Sequence, residues 1–230
     1  ENSTGEWLAF TDADCIADPH WLKELLQTAL TTQSWIVGGL IVYDVLQDTL
    51  GNRLLVETHQ PEELRVRIEQ QSCVAGGNMF VRREAFLKFG LFRVIKSGSD
   101  VEFSRRLAAG GHPSRFAPGA IIRHQCDLGN WEYLKRTYWI RYGQVVNSLG
   151  QPPHWLQQVL FKMPLKPGLR AVRQATLSTA FPQHPPFLVE WLYRWANRWA
   201  GYLGECRGTW ELASNPGKPP ANVESSNERA

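Results

Sequence analysis

Apolar and polar residues alternate in blocks along the first half of the chain, and the blocks have the lengths of strands and helices. The apolar runs Trp7–Thr11 and Trp35–Val45 predict strands. Between them, Asp18-Pro19 predicts a helix start with Asp18 as the N-cap and Pro19 at the first helical position. The more polar residues 46–70 are expected to form loop and surface helix. Apolar residues follow Pro19 at helical spacing: Trp21, Leu22, Leu25, Leu26 and Ala29.

The same alternation continues to residue 124. The predicted elements are a turn and strand over Ser72–Arg82, helices over Arg83–Phe89 and Asp100–Ala109 that each end at glycine, and short strands over Arg115–Ala117 and Ala120–Arg123 on either side of Pro118-Gly119. Strands that alternate with helices are typical of an α/β layered architecture. We therefore predict an α/β fold for this part.

From Trp131 onward the pattern is helical and rich in Trp and Tyr. The segment 187–204 is apolar except for one narrow stripe formed by Glu190, Arg194, Asn197, Arg198 and Gly201. Its charges and length argue against a membrane-spanning helix. Two interpretations stay open: a helix packed on the rest of the protein, or an interfacial helix with its indoles at headgroup depth, which the basic stretch 162–173 would suit.

This pattern divides the chain into three parts. Residues 1–128 are predicted to form the α/β part, 129–212 a helical, aromatic-rich appendage with membrane association left open, and 213–230 a disordered tail without apolar periodicity.

Composition narrows the class of protein. The chain has 230 residues, 43% of them hydrophobic, which is enough to bury a core. The net charge of +3 is mild and its basic residues are dispersed, which argues against nucleic acid as a partner. The four cysteines form no C-x-x-C pair, so they indicate neither a zinc site nor an oxidising compartment, and a cytoplasmic location is expected.

Two aspartates, Asp12 and Asp14, directly follow the first apolar run. Ligands of open α/β sheets bind beyond the carboxyl ends of the strands, so a D-x-D there would face the ligand. Mn²⁺ and Mg²⁺ prefer hard oxygen ligands and take one or two carboxylates together with water and substrate phosphates. The alternative is a structural turn whose carboxylates cap a helix.

Further candidates stand at a helix start and a strand end. Asp100 and Glu102 either complement the helix dipole or place a general base at the mouth of the site. Arg106 lies one turn after Glu102 and can pair with it. His124 closes the apolar stretch AIIRH, either as a structural hydrogen-bonding residue or as a metal ligand.

Taken in order, three segments resemble the family 2 glycosyltransferases. They are GEWLAFTDADCIADPHWLKELL, GGNMFVRREAFLKFG and SGSDVEFSRRLAAGGHPSRFAPGAIIRH, and together they cover residues 5–125. The resemblance lies in their order and spacing. It implies a partial GT-A fold, that is, a nucleotide-sugar-binding α/β domain with a mostly parallel sheet flanked by helices, followed here by the helical, Trp-rich region.

The resemblance also implies roles for single residues. Asp14 would coordinate the Mn²⁺ or Mg²⁺ that bridges the diphosphate of a nucleotide sugar, Asp12 would share that metal or lie near the ribose, and His124 would close the site. Asp100 corresponds to the catalytic base of the family. The residues assigned to substrate binding are Asp12, Gly77, Asn78, Glu102 and Arg106.

The implied reaction moves a sugar from a nucleotide-diphosphate sugar to a hydroxyl of a sugar or lipid-linked acceptor, with inversion. Two features depart from the family. Ser99 stands where an acidic residue usually precedes the catalytic aspartate. The chain also begins without Met and lacks the family's first strands, which hold the base and ribose, so we expect an N-terminally truncated enzyme that alone binds donor weakly.

A different class of function is a catalytically inactive, transferase-like accessory module that binds a membrane surface. Ser99 and the missing strands favour it, whereas Asp12, Asp14, Asp100 and His124 oppose it. A glycoside hydrolase could also use two carboxylates, but the order of the motifs fits one poorly.

Overall fold

The computed structural model describes residues 3–95, 97–146, 164 and 186–214. The strands are β1 (Trp7–Thr11), β2 (Cys15–Ala17), β3 (Ile36–Asp44), β4 (Asn78–Arg82) and β5 (Arg115–Gln125). The helices are α1 (Trp21–Thr32), α2 (Leu50–Glu57), α3 (Pro61–Arg65), α4 (Arg83–Phe89), α5 (Ser99–Ala109), α6 (Asn130–Val146) and α7 (Phe187–Ser214), and a π-helical turn, Val66–Gln70, follows α3.

The chain divides into two compact units. We call the first the sheet unit; it comprises Glu1–Val45, Thr58–Arg93 and Ser99–Cys126. We call the second the helical unit; it comprises Leu46–Glu57, Val94–Gly98 and Asp127–Ala230.

The sheet unit is built on a five-stranded mixed sheet with the order β1-β4-β3-β5-β2. The α/β class predicted from the sequence is confirmed, but the expectation of a mostly parallel sheet is wrong for the described residues. Only β3 and β5 pair in parallel, whereas β1 with β4, β3 with β4, and β2 with β5 are antiparallel. The antiparallel pairs arise at two places in the sheet. β4 lies between β1 and β3 and runs opposite to both, and β2, which α1 connects to β3, does not pair with β3 but runs opposite to β5.

Helices cover both faces of this sheet. Side chains of consecutive strand residues point to opposite faces, so that Ile36 and Val37 belong to different clusters. One cluster joins the sheet to α3, the π-helical turn, α4 and α5, and the other joins it to α1. The sheet is therefore the middle layer between helices. Side chains of a functional site are then expected at its edges and strand ends, because both faces are covered.

Most predicted elements of the sheet unit are confirmed. The strand Trp7–Thr11 has the predicted bounds, and α4 ends at Gly90, whose φ of 82° is the left-handed conformation that glycine favours. The predicted start of α1 is wrong by two residues. Asp18 and Pro19 form a turn ahead of the helix, in which the Asp18 carboxylate accepts a hydrogen bond from the His20 N–H at 2.9 Å.

The two short strands predicted around Pro118-Gly119 are one strand, β5, with an irregularity at that point. Its register with β3 jumps from Gly39 opposite Ala117 to Leu40 opposite Ile121. Residues 118–120 thus have no partner on β3, which lets the ladder tolerate a proline.

Asn78 fills this irregularity with its side-chain amide. Its Nδ2 donates to the carbonyl oxygens of Ala120 at 2.9 Å and Leu40 at 3.0 Å, and its Oδ1 accepts from Trp21 Nε1 at 2.8 Å. A Cβ on Gly39 would collide with this amide. One buried side chain thus links β4, β3, β5 and α1.

In the helical unit, α6 and α7 pack side by side and run in the same direction. Thr137 Oγ1 donates to Asn197 Oδ1 at 2.7 Å near the middle of α6, and Tyr142 OH donates to the Glu211 carboxylate at 2.9 Å near its end. Burial and the Glu211 carboxylate raise the pKa of Tyr142 to about 12, so its hydroxyl stays a donor at neutral pH.

Within the described ranges, no helix is both long and apolar enough to cross a membrane.

Some sequence predictions fall outside the described residues. Apart from Pro164, the basic stretch 162–173 is among them. So is the predicted disordered tail beyond Ser214, while residues 213 and 214 belong to α7.

Replacement of Asn78 by alanine tests its structural role. We expect Asn78→Ala to lower the free energy of unfolding by about 3 kcal/mol, because the Trp21 indole N–H and two carbonyls lose their partner in the interior. Denaturant unfolding measures this change. The matched control Gln27→Ala removes an exposed amide from α1 and should change the value by less than about 0.5 kcal/mol; equal effects of the two substitutions would contradict the role of Asn78.

Candidate active site

Asp12 and Asp14 lie on the short link between β1 and β2, which occupy opposite edges of the sheet. The Asp12 carbonyl accepts from Cys15 N at 3.2 Å and the Asp14 carbonyl accepts from Gln125 N at 3.2 Å, so the backbone of the link is fixed. The two side chains are 57% and 58% exposed. The link therefore presents two carboxylates to solvent beside the carboxyl ends of β1, β3 and β5.

His124 lies beside this link because of strand pairing. It stands directly opposite Cys15 on β2 and opposite Tyr43 on β3. Its Nε2 is 3.5 Å from Asp14 Oδ1 and 4.0 Å from Asp12 Oδ2. Its buried Nδ1 has no hydrogen-bond partner in the part of the chain that the structure describes. The imidazole thus faces both carboxylates through one nitrogen.

These side chains fit a divalent metal. Ligand atoms of Asp12, Asp14, Cys15 and His124 all lie within 4.8 Å of one another. Carboxylate oxygens and an imidazole nitrogen suit Mn²⁺ and, with fewer nitrogen ligands, Mg²⁺. Burial raises the pKa of the Cys15 thiol above its usual range, and a soft sulfur ligand suits Mn²⁺ and Mg²⁺ less well than oxygen does. The ligand set that fits best is therefore Asp12, Asp14 and His124.

Two glycines connect this cluster to a third carboxylate. Residues 75–78 form the predicted Gly-Gly-Asn turn before β4, closed by Asn78 N donating to the Ala75 carbonyl at 3.1 Å. A Cβ on Gly77 would stand 2.6 Å from Asp12 Oδ2, so only glycine lets the carboxylate lie there. The N–H of the preceding Gly76 donates to Asp100 Oδ2 at 2.8 Å. Asp12 and Asp100 thus contact neighbouring residues of one turn.

Asp100 lies in the first turn of α5 and is half-buried. Its Oδ1 accepts from the Val101 N–H at 2.8 Å, while Oδ2 accepts from Gly76. Both bonds hold the carboxylate in one orientation. A carboxylate fixed beside a cluster of potential metal ligands is chemically suited to accept a proton.

A comparison with known families shows the family of the chain. Residues 1–140 match the family described as Glycosyltransferase like family 2. The chain belongs to this family. The resemblance found in the sequence is thereby confirmed, and the match extends about one helix beyond the segments that carried it.

One relative of the chain is also named as a glycosyltransferase. Glycosyltransferase AglE of Haloferax volcanii is 26% identical over 182 residues. The similarity covers 70% of this chain and 59% of AglE, so the chain spans less than two thirds of that protein's length.

Glu102 and Arg106, assigned to substrate binding from the resemblance, form an ion pair with each other inside the sheet unit. The side chain of Glu102 is only 1% exposed, and its carboxylate lies 3.0 Å from Arg106 Nη2 and 3.3 Å from Arg93 Nε. Arg106 also donates to the carbonyls of Phe89 and Leu91. Because the buried ion pair uses these groups to tie α5 to the 89–93 loop, Glu102 has no surface for a substrate.

Asn78 was likewise assigned to substrate binding, and its position is also interior. Both donors and the acceptor of its amide are used within the protein, as described above. It therefore acts on the site through the position of the Gly76-Gly77 turn. The structure brings together Asp12, Asp14, Gly77, Asp100 and His124, and it leaves Asn78, Glu102 and Arg106 in supporting positions.

Two site neighbours were missed by the sequence analysis. One is Cys15, whose place directly after the D-x-D is a signal for proximity. Gly76 was passed over in favour of Gly77, yet its N–H is the one that contacts Asp100. Nothing local to the sequence marks Arg93 as a partner of Glu102.

Substitution of Glu102 separates the structural role from substrate binding. We expect Glu102→Gln to lower the free energy of unfolding by about 3 kcal/mol, because it leaves the half-buried Arg106 guanidinium without its buried carboxylate partner. The control Glu62→Gln breaks the exposed pair with Arg65 and should leave stability close to that of the wild type. Thermal and denaturant unfolding of both variants would test this; unchanged stability of Glu102→Gln would contradict the structural assignment.

Proposed function

We propose that this chain carries the metal and general-base part of a glycosyltransferase that moves a sugar from a nucleotide-diphosphate sugar to an acceptor hydroxyl. The observation that supports this most is the convergence of Asp12, Asp14 and His124 beside a turn whose next residue binds Asp100. Membership of the family supports the reaction class. Because the chain spans 59% of AglE, the activity and substrates of the whole protein are part of the proposal.

Asp100 is the proposed general base. Its carboxylate takes the proton of the acceptor hydroxyl while the oxygen attacks the anomeric carbon. The new carbon–oxygen bond forms as the bond to the phosphate oxygen breaks, and the nucleoside diphosphate leaves with the electron pair. Attack opposite to the leaving group inverts the anomeric centre, so one carboxylate is sufficient and a second, nucleophilic one is not needed.

Asp12, Asp14 and His124 are the proposed ligands of a divalent cation, Mn²⁺ or Mg²⁺. An ion held by these three side chains would supply positive charge to stabilise the departing diphosphate. The protein's own contribution is to hold two carboxylates and an imidazole at one edge of the sheet, and to keep residue 77 free of a side chain so that Asp12 can turn toward them.

Substitution of Asp100 tests the proposed base. We expect Asp100→Asn to lower the rate of sugar transfer by about 10²–10⁴-fold, because the amide cannot accept the proton. Donor affinity should change little. The assay follows nucleoside-diphosphate release and the anomeric configuration of the product by NMR, with a panel of nucleotide-diphosphate sugars.

The matched control for the base is Asp48→Asn. It removes a carboxylate that pairs with Arg53 in the helical unit and takes no part in the site. Its transfer rate should stay within about twofold of the wild type, since surface substitutions away from special features have small effects. Normal transfer by Asp100→Asn, or a retained anomeric configuration, would refute the mechanism.

The glycine turn offers a test that needs no substrate. We expect Gly77→Ala to weaken Mn²⁺ binding, because the added methyl group would stand 2.6 Å from Asp12 Oδ2 and displace that carboxylate. In Gly76→Ala the nearest atom would be Asp100 Oδ2 at 3.6 Å, an ordinary contact, so Mn²⁺ affinity should be kept. Neither glycine has a positive φ, so the two substitutions are comparable. Calorimetric titration with Mn²⁺ measures both, and equal affinities would argue against Asp12 as a ligand.

A further inference from the structure

The helices α6 and α7 bury polar groups against each other and expose apolar ones. Arg194 lies 2.8 Å from Glu190 and 2.7 Å from Glu57 on α2, and all three are largely buried. Asn197 accepts from Thr137, as described above. The polar stripe found in the sequence therefore faces inward for the most part, which is the reverse of an ordinary surface helix.

Glycines extend this inner face toward the end of α7. Gly201, Gly204 and Gly208 follow one another along one side of the helix, and each stands against α6. A Cβ on Gly204 would collide with the Tyr138 carbonyl, and one on Gly208 would lie 3.1 Å from the Tyr142 carbonyl. Close contact over small residues, joined by polar side-chain bonds, is how helices associate when their outer surface is in lipid.

The outer face carries large apolar side chains along nearly the whole of α7. Leu188 is 60% exposed, Leu203 is 52% exposed and Trp210 is 60% exposed. Trp195 and Trp199 lie between them and, with Trp131 of α6, line an apolar groove of about 440 Å³. From Leu188 to Trp210 the stripe rises about 33 Å. A straight apolar stripe of this length matches a flat surface better than a compact pocket.

The charges at this surface favour an anionic partner. The carboxylates of Glu190 and Glu211 are directed inward, to Arg194 and Tyr142, and that of Glu205 lies 3.7 Å from Arg141 Nη1. Lys135, Arg198 and Arg207 are exposed, against one exposed carboxylate on these two helices, that of Glu132, which lies 3.8 Å from Lys135 Nζ. Cations beside exposed indoles and leucines are the pattern of a helix that lies in a membrane interface.

We propose that the outer face of the α6–α7 pair docks on the surface of an anionic lipid bilayer, with α7 lying along the interface. The apolar stripe enters the headgroup boundary and the exposed cations contact anionic headgroups. This docking is independent of the proposed transfer reaction and can fail or succeed without it.

Vesicle co-sedimentation of the full chain tests the proposal. The probes are phosphatidylcholine vesicles with and without phosphatidylglycerol, at low and high salt. We expect the chain to sediment with the anionic vesicles and to be released in part by salt. The double variant Leu192→Glu/Leu203→Glu, which places two carboxylates on the outer face, should bind at least about tenfold more weakly.

The matched control places the same two charges elsewhere. Leu46→Glu/Leu87→Glu alters leucines that are also exposed but lie outside α6 and α7, and its partition should stay within about twofold of the wild type. Circular dichroism checks that both variants fold.

Three outcomes would overturn the proposal. The first is sedimentation of the wild type that does not depend on vesicles. The second is equal binding by the wild type and the outer-face variant. The third is a wild-type chain that self-associates by analytical ultracentrifugation without binding vesicles, with the outer-face variant dispersing it; a second copy of the chain would then cover this face.

Discussion

The site of the sheet unit depends on one buried amide. Asn78 joins β4 to the irregular part of β5, to β3 and to the indole of Trp21, and every polar atom of its side chain has a partner. The turn that carries Gly76 and Gly77 ends at this residue, so its position relative to the sheet is set there. Since Gly77 leaves room for Asp12 and Gly76 binds Asp100, the spacing of the two carboxylates follows from how this amide is held.

The chemistry of the site follows from the order of the strands. The link 12–14 runs from one edge strand of the sheet to the other and passes the end of β5, which is why His124 meets both aspartates although it lies 110 residues along the chain from Asp14. Fixed backbone bonds on the link leave the carboxylates exposed and available to a cation. The proposed metal site and the proposed base thus lie near each other at the strand ends of a mixed sheet, although no single sequence motif contains both.

Local patterns predicted much of this molecule, and long-range pairing explains what they missed. The bounds of β1, α4 and α5 follow from apolar runs and terminal glycines, which are local signals. The antiparallel direction of β4 depends on pairing with strands that lie dozens of residues away along the chain. The same is true of the continuation of β5 through Pro118-Gly119 as one strand. Glu102 is assigned to substrate binding by the family resemblance, whereas its contacts with Arg93 and Arg106 became visible only in the structure. The stripe on α7 was recognised as polar, but the usual rule that polar stripes face water gave no sign that its charges pair inward with Glu57.

The central claim is that Asp12, Asp14 and His124 hold the cation of a nucleotide-sugar site next to Asp100. The most direct measurement is an anomalous difference map from crystals of the chain soaked with Mn²⁺ and a nucleoside diphosphate. We expect a single strong peak within coordination distance of both carboxylates and the His124 Nε2, with the diphosphate bound to the ion on its open side. A peak at other residues, or a diphosphate bound away from this edge of the sheet, would contradict the account.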